Sequence, residues 1–167
     1  MPTENVQRLI RDNEKYAAEF AGGDLSVLPS RLCCLVTCHD ARIDPAKVFG
    51  IGIGQFHVIR NAGGNIKDAL RSILISQHML RTREVIRVKH TDCGTATFTN
   101  DEAHETINKN QGDVAVPPDF DFLPFVDPEV SVREEVAWLK SLKALYKGTV
   151  VSGLVYDVGT GKVKQVV

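Results

Sequence analysis

The chain has 167 residues, with 20 Lys and Arg against 21 Asp and Glu, for a net charge of −1. A near-neutral balance gives no basic footprint for nucleic acid and no acidic excess for a disordered tail. The apolar fraction of 43% suits a globular core, no apolar run approaches the length of a membrane span, and the size fits one domain over 1–167.

The polar, charged stretch Met1 to Asn13 resembles neither a secretory signal nor a transit peptide, so a cytoplasmic protein is expected. Val6, Leu9, Ile10, Tyr16, Ala17 and Phe20 recur at helical spacing and predict a helix from about Glu4 to Phe20, stopped by Gly22-Gly23. This helix forms the core of an N-terminal arm over residues 1–30. Leu32 to Thr37 is a continuous apolar run, the pattern of a strand buried on both faces. Asp44-Pro45 marks a helix start, with Asp44 as cap. Gln55 to Arg60 reads as a strand, Asn65 to Leu80 as an amphipathic helix and Glu84 to Lys89 as a third strand. Asn100 to Lys109 is a polar helix. Gln111 to Val130 holds four of the seven prolines and reads as a long loop. Ser131 to Glu134 has the form of a capping box that opens a helix to about Tyr146, with Val136, Leu139 and Leu142 facing inward. Thr149 to Tyr156 is a fourth strand, and Gly159-Thr160-Gly161 turns into a last one over Lys162 to Val167. Alternating strands and helices predict an α/β fold with a mostly parallel central sheet flanked by helices.

Four cysteines in such a chain do not form a disulfide framework. Cys34 and Cys38 cannot pair along one strand, because four strand residues span about 13 Å against about 6 Å between the Cα atoms of a disulfide. Cys33 and Cys34 read as core. Cys38 begins the segment Cys38-His39-Asp40-Ala41-Arg42, and His90-Thr91-Asp92-Cys93-Gly94 follows the third strand. Ligand sites in open α/β sheets lie beyond the carboxyl ends of the strands, so both segments point to the same edge. Two thiolates and an imidazole converging there suit zinc better than magnesium or calcium, and leave one coordination position open. Asp40 can fill that position or pair with Arg42. A lone cysteine at a strand end is more often a core residue; the two segments together reverse that balance. For Asp40 and Arg42 the plain alternative is an ion pair that closes a turn.

C-x-D-x-R followed about fifty residues later by H-x-x-C resembles the signature of β-carbonic anhydrases. The likeness extends to Val58-Ile59-Arg60-Asn61-Ala62-Gly63-Gly64, to His90 through Thr99, and to Gly153-Leu154-Val155-Tyr156-Asp157. It is strongest to the short members of the family, a branch that also holds carbonyl sulfide hydrolases. The resemblance implies Zn2+ bound by Cys38, His90 and Cys93. Asp40 would be either a fourth ligand or the partner of Arg42, and both residues would act in catalysis. It also implies CO2 or carbonyl sulfide as substrate and a homodimer or homotetramer, with no role for nucleic acid or membrane. His39, Thr95 and Ala96 depart from the usual family residues, and the small Thr95 and Ala96 would leave room for the larger sulfur of carbonyl sulfide.

Zinc lowers the pKa of the water it binds from about 16 to about 7, which supplies the nucleophile for hydrating a small linear substrate. Carbonic anhydrase activity is the leading expectation, carbonyl sulfide hydrolysis at the same site the second, and a non-catalytic zinc protein the third. His39, His57 and His104 are candidate proton carriers. Gly50, Gly52 and Gly54 precede a strand and lack the dinucleotide spacing, and Gly161-Lys162 lacks the remaining residues of a phosphate loop.

Overall fold

The computed structural model describes residues 2–112 and 115–167. Its elements run in the order α1 (Glu4–Ala18), β1 (Cys33–Cys38), α2 (Pro45–Phe49), β2 (Phe56–Asn61), α3 (Ile66–His78), β3 (Glu84–His90), α4 (Asn100–Gln111), α5 (Pro128–Ser141), β4 (Val150–Tyr156) and β5 (Val163–Gln165). Two single 3-10 turns, Ala62–Gly64 and Gly94–Ala96, follow β2 and β3. The five strands form one sheet in the order β2-β1-β3-β4-β5. β1 pairs in parallel with β2 and β3, β3 in parallel with β4, and only β5 runs antiparallel.

This order positions the site. The chain leaves β1 for β2 on one side and returns to place β3 on the other. The loops leaving β1 and β3 therefore part in opposite directions, and a crevice opens between their carboxyl ends. Every residue of β1 is buried, as its unbroken apolar run requires. The core joins Cys34 and Val36 of β1 and Val85 of β3 to Ile66, Ala69 and Ile73 of α3 and to Val132, Val136 and Leu139 of α5.

Several boundaries differ from expectation. The expected capping box at Ser131 does not form: α5 starts one turn earlier, with Asp127 as cap and Pro128 in the first turn. Ser131 lies inside the helix and donates its hydroxyl to Glu135. The Asp127-Pro128 pair is itself a strong start signal, and it competes with the box pattern three residues on. α5 ends at Ser141 instead of Tyr146, and Leu142 leaves the helix in extended backbone. The last strand is shorter than expected, Val163–Gln165, because the regular ladder with β4 covers only those residues, while Val166 and Val167 both bond to the single residue Gly153. A true capping box lies at Thr99 and Glu102, opening α4. Of the expected loop from Gln111 to Val130, Asp113 and Val114 lie outside the described residues, and its last residues belong to α5. α1 ends at Ala18, and each of its residues is exposed, including the apolar stripe of Val6, Leu9 and Ile10.

Candidate active site

Cys38 is the last residue of β1, His90 is the last of β3, and Cys93 stands in the loop after it. One ligand atom from each comes within 4.8 Å of the others, and all three residues are buried. The two sulfurs are 3.9 Å apart. His90 Nδ1 lies 2.8 Å from the carbonyl of Thr91, a partner that can only accept, so Nδ1 carries the proton. The lone pair of Nε2 then faces the cluster, where that atom is buried without a hydrogen-bond partner among the described residues. Burying a polar nitrogen in this way is costly. A cation between the three atoms removes the cost, and the donor set of two sulfurs and one imidazole suits zinc. Of the two sulfurs, Cys93 leans toward the anionic form that a metal needs and Cys38 does not. Their mutual hydrogen bond, with burial, drives the Cys38 thiol up, while the same bond and that of Thr95 pull Cys93 down.

Asp40 does not complete this set. Its carboxylate faces Arg42, taking Nε on Oδ1 at 3.0 Å and Nη2 on Oδ2 at 2.7 Å, with the Arg42 amide on Oδ1 at 2.8 Å. These bonds hold Asp40 well below the usual carboxylate range. His90 Nε2 is 3.9 Å from Asp40 Oδ2, so the carboxylate borders the cluster without joining it. Arg42 has a second anchor that the sequence did not suggest. Its Nη1 meets Asp92 Oδ2 at 2.6 Å, and its Nη2 meets the Asp92 carbonyl at 2.7 Å. Asp92 has φ of 53°, a left-handed conformation that Asp tolerates better than most residues and that belongs to the turn presenting this carbonyl. Arg60 secures the other side of the loop by donating to the carbonyls of Cys38 and Asp40.

The turn after β2 lies against the cluster. Gly63 and Gly64 both have positive φ. A Cβ on Gly64 would stand 2.7 Å from the Cys38 amide nitrogen, and one on Gly63 would stand 2.5 Å from Thr95 Oγ1. Glycine is therefore required at both positions, and its lack of a side chain lets the turn pack directly on Cys38 and Thr95. Beneath this turn lies a charged group that sequence reasoning missed. Arg87 and Lys89 of β3 are fully buried and share Glu135 of α5, at 2.7 and 3.2 Å. The signal was visible: two cations at i and i+2 point to the same face of the strand as the apolar Val85.

The other candidates fall in different places. His57 bonds Ser76 of α3, and His104 bonds the carbonyl of Phe120, so both rings are engaged away from the cluster; His39 is exposed beside Cys38. Thr95 turns its hydroxyl to the Cys93 sulfur at 3.1 Å. Ala96 lines a small surface pocket with Phe98 and Phe125. A cleft of about 770 Å³ lies between α5, the segment before it and the start of α3, and none of Cys38, His90 or Cys93 lines it. Cys33 and Cys34 are buried in β1, and burial pushes their thiols up to about 12 and about 11.

Comparison with known proteins gives the following relatives. A family profile described as carbonic anhydrase matches residues 33–115. β-Carbonic anhydrase 1 of Mycobacterium tuberculosis is 38% identical, over 94% of each chain. A carbon disulfide hydrolase of Saccharolobus solfataricus is 29% identical, over 99% of this chain and 90% of its own. The crystal structure of a carbonic anhydrase from Streptococcus mutans superposes with a TM-score of 0.93 at 38% identity, covering 100% of both chains.

Proposed function

The chain belongs to the β-carbonic anhydrase family, and from that premise we propose that it hydrates carbon dioxide to bicarbonate at a zinc ion held by Cys38, His90 and Cys93. The buried Nε2 of His90, without a hydrogen-bond partner among the described residues and grouped with two cysteine sulfurs, carries this reading. Zinc bound there supplies Lewis acidity, making water nucleophilic near neutral pH.

The chain's own residues do the rest. Arg42 holds the Asp40 carboxylate off the three-ligand set and keeps it ionised, so that Asp40 would be free to accept a hydrogen bond from a reacting water beside the set and orient it. The carbonyl of Thr91 fixes the His90 ring with its free nitrogen inward. Cys38 and His90 sit at the buried ends of β1 and β3, which keeps their ligand atoms away from bulk water. His39, exposed next to Cys38, is placed to pass protons to solvent.

A second reading is hydrolysis of a sulfur analogue, carbonyl sulfide or carbon disulfide; the relation to the Saccharolobus solfataricus enzyme favours it. Both readings take residues 1–167 as one cytoplasmic domain. The exposed apolar stripe on α1 supports a homodimer or larger homo-oligomer in which that stripe is covered; sedimentation showing an active monomer at micromolar concentration would count against it.

The deciding test is a side-by-side assay of CO2 hydration and of carbonyl sulfide and carbon disulfide hydrolysis on zinc-loaded protein. Expected is CO2 hydration as the fastest of the three, and its disappearance in Cys38→Ser together with bound zinc. Full zinc occupancy in that variant would sink the ligand assignment. Faster turnover of a sulfur substrate would select the second reading.

A further inference from the structure

Arg87, Lys89 and Glu135 take no part in the ligand set, yet they carry three ionic groups into the interior. Such burial is expensive, and an apolar trio of similar volume would stabilise the fold at least as well. The balance of charge is also unequal. Two cations face one carboxylate. What the group grips explains its place. Arg87 Nη2 donates to the Gly63 carbonyl at 3.1 Å, and Lys89 Nζ donates to the same oxygen at 3.3 Å. Glu135 holds both cations from α5, and it accepts from the Ile66 amide at 2.9 Å where α3 begins. The Phe125 ring closes the far side, its centroid 3.5 Å from Lys89 Nζ. The Gly63–Gly64 turn is thus clamped by its carbonyl from below, while its upper face packs on Thr37, Cys38 and Thr95.

We propose that Arg87, Lys89 and Glu135 are positioning residues for the metal set, fixing the Gly63 peptide so that it supports Cys38 in its ligating orientation. The proposal rests on the zinc reading above and extends it to residues that touch neither metal nor substrate. Lost support around a metal ligand typically weakens metal binding by about 10–100-fold.

The test compares the full-length wild type with Lys89→Met, which keeps the length and removes the charge, and Phe125→Leu, which removes the ring behind Lys89. Zinc affinity is read by chelator competition at a single pH. The thiolate-to-metal absorption of the cobalt-substituted proteins reports the geometry at Cys38. Expected is zinc binding about 10–100-fold weaker in Lys89→Met with a shifted cobalt band, and a smaller change of the same sign in Phe125→Leu. Should Lys89→Met fail to fold, Phe125→Leu decides by the same two readouts. Unchanged affinity and an unchanged band in folded variants, with only the melting temperature lowered, would overturn the proposal and leave the zinc reading standing. A wild-type chain that takes up no zinc would overturn both.

Discussion

Two charged networks lie near the same three ligands, and they differ in what water can do to them. On the open side, Arg42 bridges Asp40 and Asp92, with the Arg42 side chain 48% exposed and that of Asp92 74% exposed. On the closed side, Arg87 and Lys89 share Glu135 and none of the three reaches solvent appreciably. Exposed ion pairs contribute little to stability, because water competes for both partners. Asp40 itself is only 13% exposed, so any exchange of its partner works through Arg42, whose half-open guanidinium water can solvate once it is released. Buried pairs cannot exchange, since breaking one strands a charge where nothing replaces water. The open network is built for adjustment and the closed one for fixing shape.

The comparison breaks most visibly at Glu135. Glu135→Ala leaves two buried cations without their carboxylate, and the expected loss of stability is about 3–5 kcal/mol, read from urea unfolding. The acid limb gives the same contrast. Arg87 and Lys89 outweigh the effect of burial and hold the Glu135 carboxyl below its ordinary value. Its contribution to stability is therefore complete above the unfolded carboxyl pKa of about 4.3 and is lost as pH falls from there through the lower folded value. Glu135→Gln is expected to flatten that acid-dependent loss. An unfolding midpoint with the same pH slope in wild type and variant would show the carboxylate to be inert.

The open network responds in activity instead. Arg42→Ala is expected to keep its zinc and nearly all of its stability while Asp40 turns to the metal. Turnover per zinc-loaded molecule should fall by about a hundredfold or more, the scale of losing a positioning group. Metal-edge absorption reports whether a carboxylate has joined the ligands. Near-wild-type turnover with three protein ligands would reduce Asp40 and Arg42 to a structural ion pair.

Asp92 sharpens the contrast with the smallest effect. Asp92→Asn keeps the carbonyl contact to Arg42 and loses the charge, so about a tenfold or smaller fall in turnover is expected, on the order of one charge-assisted hydrogen bond. Stability should move by less than about 1 kcal/mol, as at other exposed pairs. A fall as deep as that of Arg42→Ala would mean that Asp92, more than Asp40, sets the position of the guanidinium.

Local sequence carried much of this. The unbroken apolar run before Cys38 foretold a strand buried on both faces, and β1 is one. The two motif segments at strand ends foretold the edge where their residues meet, since the parallel α/β pattern sends consecutive strands the same way. The start of α5 was misread because two valid start signals stand one turn apart, and choosing between them depends on packing against β4, which no short window contains. Arg87 and Lys89 were passed over for a related reason. A cation in a strand reads as a break in the apolar pattern until its counter-charge is known, and Glu135 lies 48 residues from Arg87 along the chain.

The sequence by itself determined the class of fold, the edge of the sheet that carries the chemistry and the residue types offered there. These follow from the periods of strand and helix and from the affinity of sulfur and imidazole for a soft cation, both local properties. The tertiary structure alone decided that Asp40 faces Arg42, that Asp92 holds Arg42 from behind, and that Glu135 reaches across to bind two cations under Gly63. Each of these is a choice among partners of similar chemistry. Such a choice is settled by distance and exclusion of water, quantities that exist only once the sheet has brought distant segments together.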